Sequence, residues 1–378
     1  MATVNPSTSG AEEMRGDTPL PGEHAGGDVS LAGYTTLRLG GPATGLVVAE
    51  SSEQLASAVR AADAGGHRLL VLGGGSNVVV ADEGFAGHVV RIATRGRHYD
   101  SVGDGMVQLT VEAGEDWDEV VADTVRQGLG GLECLSGIPG LTGATPVQNV
   151  GAYGIEVSEP LVSVDLLDRR TGQIRTVAAE ELGLTYRSSV LKRSEAAVVL
   201  RVRFLLHDGG RSAPIRYGEL ARVLGVEPGE RVDVAAAREA VLRLRRGKGM
   251  VLDVDDHDTW SAGSFFTNPI VPAGELPEVL RRIAGRVGAD ERIPQFPADG
   301  GTKLSAAWLI ERAGFGKGYP GPGGRVRLST KHTLALTNRG AATTRDLLLL
   351  AREVRDGVRA AFGVSLEPEP VLVDCSLQ

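Results

Sequence analysis

Glycine restricts this chain more than any other residue. It supplies 52 of 378 positions, roughly twice ordinary usage. The glycines follow no Gly-X-Y period, so a collagen-like structure is excluded. They concentrate instead in loops, where the backbone is left open to whatever approaches it. One loop, Gly73, Gly74, Gly75, Ser76 and Asn77, directly follows the apolar run 68–72. Consecutive N–H groups without side-chain cover form a concave donor set that favours anions, a pyrophosphate in particular. The dinucleotide fingerprint would need a third glycine at the right spacing and a following helix, and the P-loop a Gly-Lys-Ser/Thr, all absent here; a tight turn with no ligand is the competing reading. The second loop spans 135–154 and includes Gly137, Gly140, Gly143, Ala144, Gln148, Gly151 and Tyr153. A long connection inside a compact domain is usually functional. Its interspersed Ser, Thr, Gln and Asn residues are neutral hydrogen-bonding groups that suit a flavin ring and its phosphates. An irregular loop with turns is the alternative.

Around these loops the apolar spacing indicates mixed α and β structure. Residues 45–49 read as a strand. A helix capped by Ser51 or Ser52 comes next, with Leu55, Ala58, Val59 and Ala62 on one face, closed by Gly65 and Gly66. Residues 68–72 form a second strand, and Val78, Val79 and Val80 another apolar run. A β-rich stretch over 89–113 precedes a helix with Trp117, Val120, Val121 and Val125 on one face. Strands are expected at 161–167 and 198–206, and helices around 234–245, 304–313 and 344–361, the last ending at Gly363.

Composition removes several function classes. A net charge of −8 is wrong for a nucleic-acid binder, which carries a basic face. Cys134 and Cys375 form neither a disulfide framework nor a metal-type spacing, and no metal is expected. The first 20 residues lack a basic start followed by an apolar stretch, and no apolar run approaches the ~20 residues of a membrane span. The expected setting is the cytoplasm. Residues 1–28 are rich in Ser, Thr, Gly, Pro and acids and read as a disordered tail.

Seven segments, in order, resemble the UDP-N-acetylenolpyruvoylglucosamine reductases: 34–41, 73–77, 136–154, 186–192, 262–269, 303–311 and 366–369. The resemblance runs from about Tyr34 to Val373. It implies an α+β chain: a two-subdomain FAD-binding fold of the vanillyl-alcohol-oxidase type plus a third α+β substrate-binding domain. The subdomains fall at 29–95 and 96–210, the substrate domain at 211–331, and the segment 332–378 returns to the second FAD subdomain. The implied cofactor is non-covalent FAD, reduced by NADPH. The implied reaction is reduction of UDP-N-acetylglucosamine enolpyruvate to UDP-N-acetylmuramate. An FAD-dependent sugar or alcohol oxidase on the same fold is the alternative.

The resemblance also assigns roles. Ser264 matches the proton donor, Arg187 an arginine that braces the enolate, and Glu369 the catalytic glutamate. Glu367, two residues earlier, would face the same side of a strand, so pleat alone does not choose between the two. Pro370 removes a ladder hydrogen bond and points to an edge position. Tyr186, Tyr217, Lys248 and Asn268 are expected to contact substrate, with Tyr217 closing over its diphosphate. Lys248 has a solvated surface charge as its competing reading.

Overall fold

The computed structural model describes Ala2–Thr3, residues 19–23 and residues 29–378. The chain divides into two compact units: Met1–Val29 with Pro42–Gly75 and Phe85–Val251, and Ser30–Gly41 with Ser76–Gly84 and Leu252–Gln378. Among the described residues no helix is long and apolar enough to cross a membrane.

The first unit begins with β1 (Pro42–Ala49), α1 (Ser52–Gly65) and β2 (Leu69–Leu72). The Ser51 side chain caps α1 by accepting from the Gln54 amide at 3.2 Å, and Gly66 ends it at φ +64°. The chain then leaves for Ser76–Gly84, which carries β3 (Val78–Val80), and returns at β4 (Phe85–Ile92). β1 and β2 both pair parallel to β4, as expected of strands joined by a helical crossover. The buried face of α1, Leu55, Ala58, Val59 and Ala62, packs against Val47, Leu69 and Val90.

A second, antiparallel sheet belongs to the same unit. Its strands are β5 (Arg97–Gly103), β6 (Met106–Glu112), β7 (Leu161–Asp168), β8 (Ile174–Ala178) and β9 (Ala197–His207), in the order β8-β7-β9-β6-β5. α2 (Trp117–Arg126) seals one face. Trp117 is buried against Phe204 with ring centres 5.7 Å apart, and its indole N–H donates to Leu135 O at 3.1 Å. α3 (Gly218–Leu224) and α4 (Val234–Gly247) bury Leu220, Ala237 and Val241 in this same core.

The second unit holds α5 (Leu276–Val287), the hairpin β10 (Gln295–Ala298) and β11 (Gly301–Leu304), and α6 (Ala306–Ala313). The hairpin β12 (Val326–Leu328) and β13 (Leu336–Asn338) comes next, then α7 (Thr344–Phe362) and β14 (Val371–Val373). β14 pairs parallel with β3, closing a two-stranded sheet across most of the chain length. α7 turns Leu347, Leu350, Val354, Val358 and Phe362 inward onto Ile283, Leu309 and Ile310.

This division corrects the expected boundaries. α3 and α4 belong to the first unit because their apolar faces complete the core over the second sheet. The segment 332–378 belongs with residues 252–331, because α7 packs on α5 and α6 rather than returning to 96–210. The tail expectation is corrected in part. Ala2–Thr3 pair with Leu72 and Val71. Leu20 is buried, and the Glu23 carboxylate accepts from the Leu20 amide and lies 3.1 Å from His88 Nδ1. Such contacts offset ordering entropy that composition alone suggested the segment could not recover. Residues 4–18 and 24–28 lie outside the described residues.

α7 starts with a capping box: Asp346 N donates to Thr343 Oγ1 at 3.1 Å, and Thr343 N donates to Asp346 Oδ2 at 3.1 Å. Arg325 binds the same carboxylate through two hydrogen bonds at 2.6 and 2.8 Å and holds its pKa down to about 2. A folded-state pKa depressed below the ordinary carboxylate value of ~4 contributes stability that is complete above that value and is lost as pH falls toward about 2. Asp346→Asn is therefore expected to cost about 1 kcal/mol at pH 7, the scale of a helix cap. Urea titrations should show the gap between wild type and variant narrowing as pH falls from 6 to 2.5. A gap that does not change with pH would assign the loss to shape rather than charge.

Candidate active site

In the first unit the two glycine loops meet backbone to backbone. A Cβ on Gly74 would stand 2.8 Å from Gly140 Cα, and one on Gly143 would stand 2.5 Å from Ala113 Cβ. Both distances are shorter than real Cβ contacts, so the absence of side chains is what lets the loops close. Beside them opens a cleft walled by Val71, Gly73, Leu141, Ala144, Val147 and Val198. Several loop amides are already spent on the loop's own shape. Gly143 N donates to Ala113 O at 2.9 Å, Ala144 N to Leu141 O at 3.0 Å, and Gly137 N to Asp118 Oδ1 at 2.5 Å. These positions offer a ligand close approach and apolar walls more than donors. Gly73, Gly74, Gly140, Gly143 and Ala144 are thus brought together, with Gly75 buried beside them and Gln148 half-buried further along the second loop. Ser76 and Asn77 fall in the second unit, where Asn77 O accepts from Val371 N at 3.0 Å.

The end of the second loop turns toward different neighbours. Arg187 sits in a tight turn, Thr185 to Ser188, at φ +54°, a conformation costly for a side chain with a Cβ. Its Nη2 donates to Gly151 O at 2.6 Å, and Glu156 Oε1 lies 3.8 Å from Nη1. A Cβ on Gly151 would stand 2.9 Å from that guanidinium, so this glycine makes room for Arg187. Buried Asn149, itself at φ +45°, ties the arrangement together. Its Nδ2 donates to Glu156 Oε2 at 2.7 Å and to Thr185 O at 3.1 Å, while its Oδ1 accepts from Ser158 N at 3.1 Å. Asn149 and Glu156 were missed as site-forming residues. The available signal was an asparagine close before a glycine, a residue type that tolerates positive φ. The Tyr186 ring centre lies 5.0 Å from the Arg187 guanidinium carbon, and Lys192 Nζ donates to Arg187 O at 2.6 Å.

Tyr153, expected at the cofactor, joins Tyr217 and Lys248 instead. The two tyrosine rings meet edge to face at 5.4 Å, and Lys248 Nζ lies 5.9 Å from the Tyr153 ring centre. Lys248 also donates to Glu219 Oε2 at 2.7 Å. Burial works against the Lys248 charge, but Glu219 outweighs it and the pKa is raised. One turn earlier on α4, burial pulls the Arg245 guanidinium down to about 10, and its Nη2 donates to Met250 O at 2.7 Å.

The second unit places Ser264 and Glu369 on two extended segments joined by an isolated bridge. Phe266 bridges antiparallel to Pro368, and Glu369 N donates to Phe265 O at 2.9 Å. Phe265 and Phe266 are both buried and anchor the segment, while Gly263, at φ +73°, turns the chain into it. Ser264 and Glu369 are half-buried, whereas Glu367 is exposed. Pro370 directly precedes β14, whose only sheet neighbour among the described residues is β3, so the proline stands at an edge. Asn268 has a structural duty: its Oδ1 accepts from Ala306 N at 2.9 Å, at the start of α6.

Comparison with known proteins agrees with this division. Residues 43–178 match an FAD binding domain. Residues 255–373 match the C-terminal domain of UDP-N-acetylenolpyruvoylglucosamine reductase. The chain is 78% identical over 371 residues to the UDP-N-acetylenolpyruvoylglucosamine reductase of Saccharopolyspora erythraea, covering 98% of this chain and 100% of that one.

This chain belongs to the UDP-N-acetylenolpyruvoylglucosamine reductase family.

The reductase of Nocardia farcinica is 60% identical, across 92% of this chain and 90% of its own. The crystal structure of the Thermus caldophilus reductase superposes with a TM-score of 0.63 at 28% identity, across 92% of this chain and 98% of that one. Membership in the reductase family makes the chain an FAD-dependent oxidoreductase, and the mixed α and β architecture accords with the fold class expected from sequence. The residues present fit FAD: the two loops close only because Gly74 has no Cβ to meet the Gly140 backbone, and the cleft beside them is largely apolar.

Gly74→Ala tests the cradle. The added methyl meets backbone rather than a flexible side chain, so the loops must part at a cost of about 1–3 kcal/mol. The purified variant is expected to keep its circular dichroism and lose most of its 450 nm flavin absorbance. Full flavin content would show that the loop contact is not needed for binding.

Proposed function

We propose that this reductase converts UDP-N-acetylglucosamine enolpyruvate to UDP-N-acetylmuramate at the expense of NADPH, a step in peptidoglycan precursor synthesis. The observation that carries the reading is 78% identity, along the whole of its length, to a reductase named for that substrate. FAD, when bound, supplies the two-electron relay between NADPH and the vinyl ether. The cytoplasm, where NADPH and nucleotide sugars are made, is the proposed setting.

Hydride added to the terminal vinyl carbon completes a methyl group and leaves negative charge on the neighbouring carbon, delocalised into its carboxylate. Two tasks remain for the protein: to stabilise that enolate and to deliver a proton to carbon. Arg187 is assigned the first. Its guanidinium stays charged and is fixed by Gly151 O and Glu156 rather than free to swing. Ser264 is assigned the second. A hydroxyl is a weak acid, but a carbon-centred enolate is a strong base, so a positioned weak acid suffices. Glu369, on the segment that pairs with Phe265 beside Ser264, is assigned to help protonate or hold the enol. Tyr186, Tyr217, Lys248 and Asn268 are assigned to substrate. Lys248 and Tyr217, which stand together beside Tyr153, suit the diphosphate. Asn268 would contribute through its remaining amide N–H groups.

Ser264→Ala is expected to separate the two halves of the reaction. NADPH should bleach the flavin at near-normal rate, because that half needs no proton delivered to carbon. Anaerobic reoxidation by the enolpyruvate substrate should slow by about 10²–10⁴-fold, the usual loss with a positioned acid. Stopped-flow absorbance at 450 nm reads both halves. Equal slowing of both would make the serine structural, and normal reoxidation would move the proton donor elsewhere.

A further inference from the structure

Three elements of the first unit converge on one ammonium group. Lys248 directly succeeds the last turn of α4, Glu219 lies in the first turn of α3, and Tyr153 comes from the end of the second glycine loop. Lys248 Nζ lies 2.7 Å from Glu219 Oε2 and 5.9 Å from the Tyr153 ring centre, against whose edge Tyr217 stands at 5.4 Å. Tyr217 immediately precedes α3 and is exposed, so the tyrosine and Glu219 ride on the same short helical start. The ion pair is open to solvent, with side chains 35% and 33% exposed. An incoming anion can therefore reach it.

We propose that Glu219 is a gate on diphosphate binding, a carboxylate that holds Lys248 until a nucleoside diphosphate displaces it. The proposal rests on the reading of Lys248 and Tyr217 as diphosphate contacts. An ammonium has three donors, but a diphosphate oxygen taking one of them while Glu219 keeps another would place two anions side by side. The carboxylate must then withdraw, and the first turn of α3, with Tyr217, moves with it. A half-exposed pair of this kind is weak, so a dianionic ligand can open it and a neutral sugar cannot. Glu219 is a positioning residue: it acts through Lys248, sets the threshold of ligand charge, and lowers affinity in exchange for that selectivity.

The test uses the FAD-loaded enzyme, with UDP as probe and isothermal titration as readout. Glu219→Gln removes the competing charge and keeps the shape. It is expected to bind UDP about three- to ten-fold more tightly, within what a half-exposed ion pair and one removed like charge can produce. The gain should shrink in high salt, and KM for the UDP-sugar should fall with flavin content unchanged. Glu219→Asp, which keeps the charge, should restore wild-type behaviour. Lys248→Ala, measured in parallel, should weaken UDP binding. If Lys248→Ala weakens binding while Glu219→Gln leaves it unchanged or weaker, the gate is overturned and the lysine contact stands. If Lys248→Ala binds UDP as wild type does, the contact itself is wrong and the gate falls with it.

Discussion

The flavin half of this enzyme depends on one close approach, the backbone of Gly74 against that of Gly140. A parallel strand pair ends at the first loop, and an antiparallel sheet with its covering helix supports the second. At this contact neither loop has a side chain. What shapes them is the framework on which they stand: β2 beneath the first, and Ala113, Glu115 and Asp118 beneath the second. The cleft is the space left when two such supports are brought together with no side chain between them. Packed interiors do not yield by fractions of an ångström, so one methyl at either contact is felt across the whole cradle.

The same second loop serves two purposes along its length. Its first half borders the apolar cleft, and its second half builds a polar frame around Arg187. The change occurs near Asn149, where departures into positive φ at Asn149 and Tyr153 turn the chain. Asn149 satisfies one carbonyl, one amide and one carboxylate from three places in the chain. Positive backbone φ at Arg187 is tolerated because Gly151, Glu156 and Lys192 determine the position of that turn from several sides. Strain of this kind persists only where the surroundings over-determine it.

Much of the fold was legible because its signals are local. Ser51 and Gly66 bracket α1, Gly363 ends α7, and the face Trp117, Val120 and Val121 is buried as its spacing indicates. α5 was missed although Leu276, Val279, Leu280 and Ile283 carry the helical period; Pro277 occupies its first turn, where a missing N–H costs nothing. The domain boundaries failed for a different reason. Whether α4 joins the residues before it or those after it depends on which core its Val241 enters, and no local pattern encodes that. The grouping of the candidate site residues was not legible in the sequence. Gly151 and Tyr153 sit in the same motif as Gly143, but they face Arg187 and Tyr217 rather than the cleft. The pairing of Phe265 with Glu369, a contact between segments 104 positions apart, has no local signal either.

The pairing of β3 with β14 has a consequence for how the chain is made. Val78–Val80 emerges early in synthesis, and its sheet partner Val371–Val373 is almost the last segment to appear. At the ~5–20 residues per second of a translating ribosome, the ~290 residues between them take about 15–60 s. Throughout that time three consecutive valines have an unsatisfied hydrogen-bonding edge, the kind of surface that invites pairing with other chains. The neighbouring Asp82 and Glu83 place negative charge directly beside that edge, and like charges on two nascent copies would oppose their association. The first unit has no such wait, since its last segment, α4, is complete by residue 247. The order of synthesis thus favours a first unit that matures while the second is still waiting for its final strand.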